Sequence, residues 1–338
     1  MIKAEVDILE NDILERYPEV LKTLLHDHTT QKNIFWATNN YEHLGADYHF
    51  FSEILPELIT GQNGHVIMPR VKKDKNLQQK RVKKMAEVFT PAWLCNDQNN
   101  CVDNAWFGRE GVFNNRIVDN RIVTWQVNEE KITFPEGKTW EDYVNQNCLE
   151  ITCGEAPYLV SRYDTTTGVF IPLNKRIGLL DRKLRVVNEN VTDEGAWLAA
   201  VSKAFMATYG YEFQGDSLLL AREALLFTFI EHYSERFGAE PDLSHIQEIA
   251  HIISWNIWQM DGLRQVVPMS CFSKTVVEGN LFDTTEKIVK CEGCTSYDMK
   301  YMRKHNGKYC LIMDWGEKDP NTGKFGLVIK FIDLFQIK

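Results

Sequence analysis

Hydrophobic positions along the chain change period several times, and each change predicts an element. In residues 5–25, Val6, Ile8, Leu9, Ile13, Leu14, Val20, Leu21, Leu24 and Leu25 recur at helical spacing, with a break at Pro18. The stretch up to about Thr60 is rich in aromatics, among them Phe35, Trp36, Tyr41, Tyr48, Phe50 and Phe51. It reads as a mainly helical N-terminal region packed on something larger. Residues 121–126 and 131–134 are Val, Ile and Thr runs bounded by Asn and Gly, and predict strands. From about Asn147 the pattern alternates. Residues 148–152, 208–212 and 254–258 read as short strands, and residues 196–207, 217–237 and 243–253 as helices. Strand, helix, strand, helix, strand predicts an α/β fold with a parallel-dominated sheet covered by helices. Residues 309–315 and 327–334 are strand-like and joined by Asp319-Pro320-Asn321-Thr322-Gly323, which predicts a small C-terminal β-hairpin module.

Composition narrows the class. Apolar residues make up 44% and charged residues 25% of the 338, an ordinary globular balance. No apolar run approaches the roughly 20 residues of a membrane span. Residues 1–10 alternate apolar and acidic positions without a basic start, unlike a secretory signal. A cytoplasmic protein without membrane association is the expectation. Its eight cysteines are then free thiols or metal ligands. The net charge of −9 argues against coating nucleic acid by bulk electrostatics. Residues 70–84 run the other way, with one acid, Asp74, among many Lys and Arg. Lys72, Lys73, Lys80, Arg81, Lys83 and Lys84 are candidate phosphate contacts, the alternative being a solvated surface segment.

The strongest local signal is Leu149-Glu150-Ile151-Thr152-Cys153-Gly154-Glu155-Ala156-Pro157-Tyr158-Leu159. An acid ends a strand, a Gly turn follows, a small residue stands two positions on, and an apolar helix start is expected next. Such a turn lets backbone approach a ligand, a helix N-terminus offers N–H groups to a carboxylate, and the acid can hold an ammonium group. This segment resembles the first cofactor motif of the N6-adenine DNA methyltransferases of restriction–modification systems. Glu150 takes the acid position, Gly154 the first glycine and Ala156 the second, while Ile151 stands where that family has Pro. Three further segments match in the same order. Met85-Ala86-Glu87-Val88-Phe89-Thr90-Pro91 resembles the Phe-Thr-Pro signature over the methionine end of the cofactor, and Pro91 also suits a helix start. Tyr209-Gly210-Tyr211-Glu212 resembles the second motif, in which the acid accepts from the ribose hydroxyls. Residues 256–261 resemble the third, with Asp261 accepting from the adenine amino group. The resemblance covers residues 85 to about 265. It implies a Rossmann-like class I methyltransferase core that binds S-adenosylmethionine through Phe89, Thr90, Pro91, Glu150, Gly154, Ala156, Glu212 and Asp261. The implied organisation is 1–84, a mainly helical region with the basic segment; 85–268, the cofactor-binding core; and 269–338, a small Cys-containing β module.

The same family grips its flipped adenine with Asn or Asp, Pro, Pro, then Tyr or Phe, and this sequence has no Pro-Pro pair. Met313-Asp314-Trp315-Gly316 is the nearest substitute, making Asp314 and Trp315 candidate catalytic residues. The stretch after Asp261 is short for the remaining strands and a target-recognition region. The resemblance thus implies a DNA-binding subunit of a restriction–modification or phage-defence system, with a specificity, nuclease or completing methyltransferase subunit as partner. The alternative is a non-catalytic cofactor-binding or interaction module. Separately, Cys291-Glu292-Gly293-Cys294 with His305 and Cys310 has the composition of a structural zinc site, with Cys271 as an alternate ligand and free thiols as the other reading.

Overall fold

The computed structural model describes residues 6–8, 10–85, 89–280, 283–296 and 298–335. The chain is mixed α/β. Pro18 opens a helix at the position where its missing N–H costs nothing, so the expected N-terminal helix divides into α1 (Glu10–Arg16) and α2 (Pro18–Leu25). A two-residue pair, β1 (His26–Asp27) with β2 (Lys32–Asn33), follows. From there to Asp74 the chain is turns, 3-10 segments and one short helix, α3 (Pro56–Ile59), rather than the helical region the aromatics suggested. Side-chain caps hold these turns. Asp27 accepts from the Thr29 and Thr30 N–H groups, and the Tyr48 hydroxyl donates to the Leu58 carbonyl at 2.9 Å. The basic segment forms α4 (Lys75–Met85).

Helix α5 (Ala92–Phe107) ends on Gly108, whose φ of 67° closes the last turn without a Cβ penalty. The antiparallel pair β3 (Asn114–Asp119) and β4 (Ile122–Val127) fits the expectation for 121–126. Residues 131–134 are an extended loop whose Ile132 N–H donates to Glu189 at 2.8 Å. Helix α6 (Trp140–Val144) starts on a Thr139/Asp142 capping box.

The centre is a three-stranded parallel sheet in chain order: β5 (Cys148–Glu150), β6 (Thr208–Glu212) and β7 (Ile257–Gln259). Helices α7 (Leu179–Asn190) and α8 (Glu194–Met206) connect the first two strands; α9 (Gly215–Phe237) and α10 (Leu243–Asn256) connect the second and third. The alternation read from the sequence is therefore the alternation of the sheet. Strand β7 starts later than expected because residues 254–256 continue α10. There the buried Asn256 amide donates to the carbonyls of Phe205, Met206 and Thr208. An antiparallel pair, β8 (Lys274–Asn280) with β9 (Asp283–Val289), was not legible beforehand. The expected C-terminal hairpin is β10 (Leu311–Lys318) with β11 (Phe325–Lys330). It packs on the sheet through Ile312 and Phe331 against Tyr211 and Trp258.

Helix α9 is the axis of the core. Leu218, Leu219, Ala221, Leu226 and Phe229 are buried together with Leu21, Leu24 and Leu25 of α2. The Arg222 guanidinium, fully buried, donates to the carbonyls of Leu24, His26, Ser254 and Ile257. A planar fork of five donors suits four carbonyls on four elements, α2, β1, α10 and β7. The N-terminal residues thus share one core with the sheet instead of forming a separate body. No helix among the described residues is long and apolar enough to cross a membrane.

Candidate functional site

Open parallel sheets offer ligands a crevice beyond the carboxyl ends of their strands. Here that crevice is a cleft of about 1220 Å³ lined by Phe89 and Thr90, by residues 150–154 after β5, and by Glu212, Phe213 and Gln214 after β6. Five residues singled out in sequence, Phe89, Thr90, Glu150, Gly154 and Glu212, meet there from three segments far apart along the chain. Ala86, Glu87 and Val88 of the Phe-Thr-Pro segment lie outside the described residues. Pro91 is the residue immediately before α5, and the free N–H of Ala92 is capped by Asp164 at 2.8 Å.

The turn after β5 is built from left-handed residues. Thr152, Gly154 and Ala156 have φ of 48°, 55° and 58°. Gly154 meets this without a Cβ clash, and the Phe89 ring lies 3.8 Å from where its Cβ would be. Ala156 adopts the same region while fully buried, a strain of about 1–2 kcal/mol that its surroundings sustain. The expected helix start after the turn is absent. Residues 155–178 run as turns and loops with one 3-10 turn at Leu173–Lys175, and the next α-helix is α7. The left-handed Ala156 interrupts a right-handed helical run at this point, and the Glu150 carboxylate instead accepts from the N–H groups of Tyr158 and Leu159 at 3.4 and 3.1 Å.

Glu212 closes the cleft floor. It accepts from the Gly154 N–H at 2.8 Å, and from Phe213 and Gln214 at 2.8 and 3.2 Å. A carboxylate has about four lone-pair positions, so about one remains for a ligand hydroxyl. Burial raises the pKa of both acids, Glu150 well above the carboxylate range, and each backbone N–H bond works against that. Two desolvated carboxyls at the strand ends favour a cationic ligand group, whose charge would restore their ionised form.

The structure redistributes other expected site residues. Asp261 does not line the cleft. It accepts from the N–H groups of Leu263 and Arg264 and pairs with the Arg264 guanidinium at 2.5 Å. Asp314 and Trp315 line a different cavity, of about 900 Å³, beside Asn145, Asn147, Ala207 and Tyr209, which precede or open strands β5 and β6. They are thus at the amino ends of the sheet, opposite the cleft. Asp314 caps the Gly316 N–H, and the Trp315 indole donates to Asn256 at 2.7 Å. In the basic segment, Lys73 and Arg81 are not surface groups. Both are buried against Asp216, at 3.4 and 2.8 Å. Lys72 and Lys83 are exposed, and Lys83 reaches the cleft. The side chains of Lys80 and Lys84 lie outside the described residues.

Aromatic residues that the sequence reading left unassigned complete the cleft. Phe50 and Phe51 line it, 4.8 Å apart centre to centre, and Phe50 also meets Phe213 at 6.3 Å. Phe51 is 68% exposed, a large apolar ring facing open space. The adjacent Phe-Phe pair was the available signal.

A second constellation lies in the C-terminal part. Cys271, Cys291, Cys294 and His305 form a group that could hold a metal ion, with one ligand atom of each within 4.8 Å of all the others. Cys310, expected in this set, is excluded. Its thiol is fully buried and points at the Gln259 carbonyl at 3.4 Å, and Cys271 takes its place.

No family model matches the chain, and no curated protein or solved structure matches it.

Proposed function

We propose that this chain is the S-adenosylmethionine-binding part of an adenine-N6 DNA methyltransferase of a restriction–modification or phage-defence system, with a Rossmann-like class I core. One observation carries the reading. Phe89 with Thr90, Glu150 with Gly154, and Glu212 come from three separate segments and surround a single cleft beyond parallel strands. In this reading the paired acids receive the ammonium and sulfonium charges, and Glu212 accepts one ribose hydroxyl. Phe50, Phe51 and Phe213 supply an apolar face for the adenine ring, in place of the role expected of Asp261. The exposed Lys72 and Lys83 are the DNA contacts, while Lys73 and Arg81 hold the fold.

Methyl transfer requires a grip on the target amino group. Asp314 and Trp315 stand at the far end of the sheet from the cleft, so the grip is assigned to a further segment or a completing subunit. A second reading, a cofactor-binding module that transfers nothing, is favoured by the position of Asp314 and Trp315 away from the cleft. The cysteine–histidine group is structural in both readings, since four protein ligands leave no position open for water. The test is transfer of a labelled methyl group to adenine-containing DNA, by the chain alone and with neighbouring gene products. Label on adenine N6 in either mixture supports the first reading. Cofactor binding without transfer in both supports the second, and absence of cofactor binding removes both.

A further inference from the structure

The distances in the cysteine–histidine group are each within reach of a sulfur hydrogen bond, but they cannot all be hydrogen bonds at once. His305 Nδ1 lies 3.5 Å from Cys271 Sγ, 3.8 Å from Cys291 Sγ and 3.6 Å from Cys294 Sγ. One ring nitrogen carries one proton or one lone pair, so it cannot bond three thiols at once. A tetrahedral zinc with bonds of about 2.3 Å to sulfur and 2.0 Å to nitrogen puts its sulfur and nitrogen ligands about 3.6 Å apart. Three sulfurs at that spacing from one nitrogen describe the corners of such a site.

The backbone is shaped for it. Cys291 and Cys294 form a knuckle in which the Cys294 N–H donates to the Cys291 carbonyl at 3.0 Å. The Asn306 N–H points at Cys291 Sγ at 3.3 Å, the contact that offsets thiolate charge in a metal knuckle. A Cβ on Gly293 would stand 2.6 Å from the His305 ring, and one on Gly307 would stand 2.9 Å from Cys271 Sγ. Both glycines are therefore needed for the ligands to converge. Soft thiolates with one imidazole in tetrahedral array select zinc over hard cations.

We infer that Cys271, Cys291, Cys294 and His305 bind one structural zinc ion, which fastens one wall of the cleft to the C-terminal module. Met269, two residues before Cys271, lines the cleft. The intervening strip is stitched to the other ligand segment by Val267 N–H to Lys308 O at 2.8 Å and Lys308 N–H to Ser270 Oγ at 3.0 Å. On the other side, Arg264 pairs with Asp261 at 2.5 Å. The zinc site stands whether or not the cleft takes the methyl donor.

The test measures metal content of the full chain, purified under reducing conditions, and the absorption of its cobalt-exchanged form. The expected result is one zinc per chain and a cobalt spectrum of thiolate charge transfer with tetrahedral bands. Cys294→Ser, at an exposed thiol, and Cys271→Ser should each weaken zinc binding more than about tenfold, while Cys310→Ala and Cys101→Ser keep it. Chelation should speed amide exchange in residues 261–272. Failure of the reduced chain to take zinc or cobalt overturns the site, as does zinc binding that survives Cys271→Ser or a disulfide among these thiols in the reduced chain. Unchanged exchange in 261–272 after zinc removal overturns the fastening role. If Cys310→Ala does not fold, the two serine variants against Cys101→Ser decide.

Discussion

The cleft beyond the parallel strands and the cysteine–histidine group are built on opposite principles. In the cleft the two acids are held in place by the protein itself: Glu212 accepts from three backbone N–H groups, with about one acceptor position left, and Glu150 from two. Its shape needs no ligand. In the cysteine–histidine group four ligand atoms face one another, three sulfurs around a single ring nitrogen. Its shape needs a cation. The difference teaches where each region's stability resides. The cleft is held by the core through α9; the C-terminal hairpin packs on the sheet through Ile312 and Phe331, and the inferred zinc would fasten the segments around Cys271, Cys291, Cys294 and His305 to it.

The largest effect expected from breaking this contrast is at Asp216, fully buried and bonded to Arg81, Lys73 and the Tyr41 hydroxyl. Burial alone would raise its pKa, but Arg81 and then Lys73 outweigh that and hold it well below the carboxylate range. Asp216→Ala leaves two buried cations without their acid and should cost about 3–5 kcal/mol in urea unfolding, with zinc content unchanged. Loss of zinc in this variant would show that the two regions are not independent.

Next comes Glu212→Ala. It removes a charged acceptor, so affinity for S-adenosylmethionine should fall by about 1.5–3 kcal/mol, or more than about tenfold, again with zinc retained. Unchanged affinity in calorimetry would remove Glu212 from the site.

A pH series sharpens the picture of the core. Glu10 and Glu223 are buried side by side in it, and neither carboxyl has a hydrogen-bond partner among the described residues. Burial, foremost, and the neighbouring acids push both well above the carboxylate range, with Arg162 opposing at Glu223. A raised carboxyl contributes its stability below the unfolded pKa and loses it as pH rises through the folded pKa. Wild-type stability should therefore fall with rising pH by up to about 1.4 kcal/mol per unit for each group. Glu223→Gln removes its share, so its advantage should grow from acid to neutral pH. An advantage independent of pH would contradict this.

The smallest effect is at Ala156. Glycine there relieves about 1–2 kcal/mol of left-handed strain but gives up a buried methyl group of about 0.8 kcal/mol. Ala156→Gly should stabilise by under about 1 kcal/mol, seen as a small rise in Tm. A fall in Tm would mean that the methyl contact outweighs the strain.

Much of the sheet was legible because its signals are local. The turn at Gly154, the acid at Glu212 and the periodicity of α8, α9 and α10 are each contained in a few residues. What escaped depends on distant partners. Nothing near Lys73 or Arg81 announces Asp216, so a buried ion pair read as a basic surface. The helix expected after Gly154 is interrupted at Ala156, whose left-handed backbone no residue type announces, and Asp261 is drawn away by Arg264 three residues on. Cys310 fitted the zinc spacing as well as Cys271 did. Only the fold shows that Cys310 points into the core and that the 261–272 strip returns to His305. The pair β8 and β9 was missed because charged residues such as Lys274, Glu278, Glu286 and Lys287 interrupt its apolar alternation.

The proposed S-adenosylmethionine site in the cleft can be tested directly. The direct measurement is calorimetric titration of the full wild-type chain with S-adenosylmethionine, alongside Glu212→Ala. Saturable one-site binding by the wild type, weakened in the variant, is the predicted result. A wild-type chain that is folded and zinc-loaded yet gives neither heat nor a thermal shift would contradict it.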